Sequence, residues 1–221
     1  ELHRRLVMQP TFVSPNKHNI TGCILAGGQG SRMGGVDKGL LMLQGQTLVQ
    51  RAIERLQPQV NSLMVNANRH ASQYAVFGIP VVADADHGFK GPLAGFLSGL
   101  QHCPTDWLVT VPCDSPFFPL DLVSQLAAAA AQSNALIAMA QALETTSDGR
   151  EEWRLQPVFS LMHRQLADSL HTHIQSGGFK ITEWAKQHPL AICPFASASG
   201  QLPPFANANT PEELLHLQSL A

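Results

Sequence analysis
Cys23-Ile24-Leu25-Ala26-Gly27-Gly28-Gln29-Gly30-Ser31-Arg32-Met33-Gly34-Gly35-Val36-Asp37-Lys38 is the stretch on which the reading of this chain turns. A short apolar run ends in Gly27, Gly28 and Gly30, then come Arg32, two more glycines and Lys38. A buried strand that opens into a glycine-rich turn brings bare backbone N–H groups to the edge of a sheet. Those groups, joined by two cations, suit a polyphosphate. Two familiar phosphate loops do not fit. A Walker A loop needs Gly-Lys-Ser/Thr at its end, whereas Gly35 is followed by Val36 and Asp37. A dinucleotide fingerprint needs a third glycine where Met33 stands.

Outward from this stretch, short apolar runs alternate with helical patterns. Residues 20–26 read as the first strand and 27–38 as the glycine-rich loop. After a turn at Gln44-Gly45, Thr47 caps a helix whose apolar face is Leu48, Val49, Ala52, Ile53 and Leu56, ending before Pro58. Leu63 to Val65 and Ile79 to Ala83 read as strands, with a weak helix from Ala71 to Phe77 between them. Leu93 to His102 reads as a helix, Trp107 to Val111 as a strand, and Leu120 to Ala131 as a helix that Pro119 opens. Ala135 to Ala140 and Pro157 to Met162 read as further strands. The polar residues 141–154 between them read as an exposed, mobile loop. Helices are expected over His163 to Ser176 and Phe179 to Gln187. A last one starts at Pro211, with Thr210 as its cap and Glu212 and Glu213 in its first turn.

This alternation predicts a three-layer α/β/α fold with a Rossmann-like, doubly wound, mostly parallel sheet. In such sheets ligands sit beyond the C-terminal ends of the strands. Gly27, Asn66, Asp84 and Asp114 all fall just past an expected strand end, so they converge on one edge.

At 221 residues the chain fits one domain over 20–221, and residues 1–19 are expected to be a disordered extension outside the fold. The net charge of −2 lacks the basic excess of a nucleic-acid-binding domain. Cys23, Cys103, Cys113 and Cys193 form no C-x-x-C pair and read as small buried hydrophobes in a reducing cytoplasm. No run of 18 apolar residues suggests a membrane span, and the first 19 residues lack the apolar centre of a signal peptide. His171 and His173 stand two apart, not at the helical spacing of zinc ligands, and read as a solvated face.

Five segments in series resemble one family. Leu25-Ala-Gly-Gly-x-x-x-Arg32-Met-Gly-x-x-Asp37-Lys38 is similar to the signature of molybdenum cofactor guanylyltransferases, within the wider nucleotidyltransferase fold. Val65-Asn-Ala-Asn-Arg-His70, Gly91-Pro-Leu-Ala-Gly95, Pro112-Cys-Asp-Ser-Pro116 and Asn207-Ala-Asn-Thr-Pro-Glu-Glu-Leu214 follow in the family's order. Leu43-Gln-Gly-Gln-Thr-Leu48 looks like the family's turn and helix start.

The resemblance implies transfer of GMP from GTP to the terminal phosphate of molybdopterin carrying molybdenum, with release of pyrophosphate. It implies a GTP-binding front half and an acceptor-binding back half. Leu25, Ala26, Gly27, Gly28, Asn66, Asp84, Gly91, Pro92 and Leu93 would contact the nucleotide. Arg32 and Lys38 would hold the triphosphate, and Asp114 would hold Mg²⁺ (or Mn²⁺), with Asn209 as a second metal-proximal residue. Gln156, Lys180 and Asn207 are the candidates for acceptor contacts. Alternatives stay open: an ion pair with Asp37 for Lys38, a loop cap for Asp84, a turn residue for Asn209 and an exposed helix lysine for Lys180. Partners implied are other proteins of cofactor synthesis and recipient molybdoenzymes, with neither nucleic acid nor membrane. The competing activities are a molybdopterin cytidylyltransferase, a sugar-phosphate nucleotidyltransferase and a non-catalytic GTP-binding regulator.

Overall fold
The computed structural model of the chain describes residues 12–27, 37–84, 91–146, 148–196 and 203–220. Its centre is β1 (Ile20–Leu25), buried on both faces. β1 lies between β4 (Ser62–Asn66) and β6 (Trp107–Pro112), parallel to both. The full sheet runs β5-β4-β1-β6-β8-β7-β9. β5 is Val81–Val82, β7 Ile137–Thr145, β8 Glu151–His163 and β9 Leu190–Phe195. β8 runs antiparallel to β6 and β7, and β9 runs parallel to β7, so β8 alone of the seven is reversed.

Strand alternation splits the core into two layers. Ile24, Val109 and Ala138 join one cluster, whereas their neighbours Cys23, Leu108 and Met139 join the other. Helices α1 (Leu48–Leu56) and α4 (Leu122–Ser133) cover the first face. Helices α3 (Pro92–His102), α5 (Ala167–Gln175) and α6 (Ile181–Ala185) cover the second. α1 starts where Thr47 accepts from the backbone N–H of Gln50 at 3.3 Å. It follows a two-stranded ribbon of β2 (Met42–Leu43) and β3 (Gln46–Thr47), whose turn places Gln44 and Gly45 at positive φ. α2 (Ala71–Ala75) and α7 (Pro211–Leu220) complete the elements, and Leu217 of α7 packs in a small cluster with Leu43, Leu48 and Ala208.

Several expectations are corrected. Residues 141–146 and 148–154 are not a loop: most of them are the arms of a β7–β8 hairpin, at whose end Thr146 N–H donates to Arg150 O at 2.7 Å. The arms run past the neighbouring strands, so polar residues suit them; Leu143 faces Trp153, and Arg154 reaches Glu144 and Glu152. Pro119 does not open α4. It sits in a preceding turn whose carbonyl takes the N–H of Leu122, and the helix begins after Asp121. β9 has no counterpart in the sequence reading. Residues 12–19 belong to the fold: Phe12 packs edge-on against Trp107, whose indole N–H donates to Val13 O at 2.9 Å. Residues 1–11 lie outside the described residues. All four cysteines are free and buried.

Candidate active site
The parallel strands β4, β1 and β6 end side by side, and backbone bonds continue past them. Ala26 N–H donates to Asn66 O at 2.8 Å, and Cys113 N–H donates to Leu25 O at 3.1 Å. This locks Leu25, Ala26 and Gly27 between the ends that carry Asn66 and Asp114.

Two clusters result. In the first, Asn66 Nδ2 donates to Asp84 Oδ1 at 2.8 Å and Asn68 Nδ2 to Asp84 Oδ2 at 2.7 Å. Asp84 N–H returns a bond to Asn68 Oδ1 at 2.9 Å, so the two side chains tie the segment after β4 to the end of β5. Two motif glycines close on the same asparagine. A Cβ on Gly27 would lie 3.1 Å from Asn66 Oδ1, and one on Gly95 would lie 2.7 Å from it and 2.9 Å from Leu25 Cδ2. The backbones of both glycines therefore pack directly on the Asn66 side chain, and a Cβ at either position would crowd it. Gly91, at φ +96°, precedes Pro92 at the start of α3, and Leu93 is buried beneath it. Ser98 of α3 donates to Ala83 O at 2.8 Å and ties this helix to the Asp84 segment.

In the second cluster, Lys38 Nζ lies 3.2 Å from Asp114 Oδ2 and 2.7 Å from Asn209 Oδ1. Three motifs spread over the chain thus meet at one ammonium. Lys38 pairs with Asp114, not with Asp37. The backbone supports the arrangement: Ala208 N–H donates to Asp114 O at 2.8 Å, and Asn209 N–H to Glu213 Oε2 at 2.6 Å. Glu213 N–H in turn donates to Thr210 Oγ1 at 3.1 Å, so Asn209 is held by the cap of α7. Neighbouring thiols are kept neutral. Burial, then the Asp114 and Asp37 charges, push the Cys113 thiol far above its ordinary range, and burial does the same to Cys23.

The remaining candidates are less connected. Gln156 on β8 donates to Glu144 Oε1 at 2.6 Å. Lys180 pairs with Glu183 at 3.2 Å and lies over the Phe179 ring. Asn207 is exposed, two residues before Asn209. Gly28 and Arg32 lie outside the described residues. Sequence reasoning passed over Asn68, whose signal was its place in the same Asn-Ala-Asn segment as Asn66.

Among the described residues no group of three or more His, Cys, Asp or Glu side chains is placed to hold a metal. One carboxylate and an amide oxygen, Asp114 and Asn209, are the oxygen donors at the second cluster. That small set suits a hard cation shared with substrate phosphates rather than an all-protein cage.

A family model described as a MobA-like NTP transferase domain matches residues 22–192. The chain belongs to this family. It is 51% identical to a molybdenum cofactor guanylyltransferase of Acidovorax sp. over 92% of this chain and 97% of that protein. It is 50% identical to one of Ralstonia nicotianae, over 90% and 96%. Among solved structures, the molybdopterin-guanine dinucleotide biosynthesis protein A of Archaeoglobus fulgidus superposes with a TM-score of 0.70 at 21% identity, over 90% of this chain and 97% of that one. That likeness establishes the nucleotidyltransferase fold. Members of the family are enzymes that work with a divalent metal, and Asp114 has the chemistry to be a ligand in this chain. No helix among the described residues is long and apolar enough to cross a membrane.

Proposed function
We propose that the chain is a molybdenum cofactor guanylyltransferase. It transfers GMP from GTP to the terminal phosphate of molybdopterin carrying molybdenum, and yields the guanine dinucleotide cofactor and pyrophosphate. The observation that carries this reading is the meeting of Lys38, Asp114 and Asn209, each from a separate family motif, at the strand ends where Gly27 and Gly95 close on Asn66.

The attacking phosphate is already an anionic nucleophile. The chain therefore needs no covalent residue; it needs to hold two anions in line and neutralise them. Leu25 to Gly27, Asn66, Asp84 and Gly91 to Leu93 line the nucleoside. Arg32 and Lys38 take the charge that gathers on pyrophosphate as it leaves. Mg²⁺ is the ion we assign to Asp114 and Asn209, with Mn²⁺ the alternative; when bound it draws charge from the phosphate oxygens. Gln156, Lys180 and Asn207 are assigned to the acceptor. Protein partners are other cofactor-synthesis proteins and recipient molybdoenzymes, in the cytoplasm.

Pyrophosphate release from GTP, CTP and UTP, each with and without molybdopterin and Mg²⁺, tests the reading. Release is expected from GTP only, and only with both present. Preference for CTP identifies a cytidylyltransferase, turnover of UTP with a sugar phosphate a sugar-phosphate enzyme, and GTP binding without release a regulator.

A further inference from the structure
Asp37 precedes Lys38, yet the transfer chemistry above makes no use of it. It is only 6% exposed, and a buried carboxylate is costly unless hydrogen bonds surround it. Its Oδ1 accepts from the Tyr74 hydroxyl and, at 3.2 Å, from the N–H of Gly39. Tyr74, on α2, is fully buried. Burial first, and then the bond to Asp37, raise its phenol well above the usual range, so the hydroxyl stays a donor. A Cβ on Gly39 would fall on that hydroxyl oxygen. Residues 37–39 thus wrap the phenol tip, the carboxylate on one side and the glycine on the other. Lys38 sits between them and reaches Asp114 and Asn209. α2 follows β4 directly through Asn66 and Asn68, with His70 at φ +53° at its entry. The helix that presents Tyr74 is therefore anchored to the Asp84 cluster.

We propose that Tyr74 is a positioning residue for nucleotidyl transfer: its hydroxyl, through Asp37, fixes the backbone that carries Lys38. The proposal rests on the role given to Lys38 above. An ammonium on a loosened backbone still attracts GTP but no longer lies on the phosphates as pyrophosphate leaves, so the loss falls on the transition state rather than on binding.

Steady-state pyrophosphate release by the full chain tests this. Tyr74→Phe keeps the ring and removes the hydroxyl. It is expected to lower kcat about tenfold with KM for GTP changed less than about twofold. Asp37→Ala is expected to behave likewise, and the double variant to lose no more than the worse single one, because the two act as one unit. Gly39→Ala, whose methyl takes the space of the hydroxyl while both partners keep their side chains, supplies the same kcat loss, should Tyr74→Phe fold poorly. Tyr74 is the sole tyrosine, so phenolate absorbance reports this site alone. It is expected to stay silent in the wild type until the chain unfolds, and to appear at lower pH in Gly39→Ala. Wild-type kcat in Tyr74→Phe and Gly39→Ala, or losses that multiply in the double variant, overturn the proposal while Lys38→Ala stays inactive. A fully active Lys38→Ala overturns the assignment of Lys38 itself, and the proposal with it.

Discussion
Asp114 serves two neighbours at once: its carboxylate meets Lys38 and its carbonyl takes the N–H of Ala208. The backbone bond survives truncation of the side chain, so the fold should tolerate Asp114→Ala while the chemistry does not. Turnover is expected to fall at least about 10²–10³-fold, with the thermal midpoint within a few degrees of wild type. Near-wild-type pyrophosphate release in that variant sinks the metal assignment. Gly95 makes the complementary case on the nucleoside side. The methyl of Gly95→Ala must displace Asn66 or Leu25, at 2.7 and 2.9 Å. It is expected to cost about 1–3 kcal/mol of stability and to weaken GTP binding measured by calorimetry. Unchanged affinity would remove Gly95 from the proposed nucleoside contacts.

Among the elements, α7 connects stability to the site. Leu217 is buried with Leu43, Leu48 and Ala208, and Glu213 holds the backbone of Asn209. Leu217→Ala is expected to cost roughly 2–4 kcal/mol in urea unfolding. Because the same helix holds Asn209, kcat should fall with it; retained kcat at lowered stability would separate α7 from the site. The start of α7 was legible from Thr210, Pro211 and the two glutamates, since a cap is a local device. The β7–β8 hairpin was not legible. Glu144, Glu151, Glu152 and Arg154 are ordinary loop residues until cross-strand pairing gives each a partner on the opposite arm. β9 escaped for a related reason: Pro189 and Pro194 break a short run whose strand character comes from pairing with β7.

The whole molecule carries a pH dependence outside the site. Burial, with a smaller push from Arg164, lowers the His163 pKa against the opposing pull of Asp106. Burial alone lowers that of His188, which bonds Ser169 at 2.8 Å. Folded pKa values below the ordinary 6.5 mean that the fold favours the neutral rings. The stability they contribute is present above pH 6.5 and is lost as pH falls through the folded values. The thermal midpoint should drop between neutral pH and the region below His titration, and the drop should shrink in a His163→Gln, His188→Gln double variant. An equal drop in that variant rules these two histidines out.

The sequence by itself determined the layered α/β order, the strand ends that carry Gly27, Asn66, Asp84 and Asp114, and the family motifs. Those features depend on periodicity and on local turn chemistry, which neighbouring residues settle. Tertiary structure alone decided that Lys38 pairs with Asp114 and Asn209 rather than with Asp37, because those partners are 76 and 171 residues away. It also decided that Asp37 turns inward to Tyr74 and that Gly95 closes on Asn66. Such contacts arise only where strand order brings distant ends to one edge, and no local pattern in the chain encodes which of them will meet.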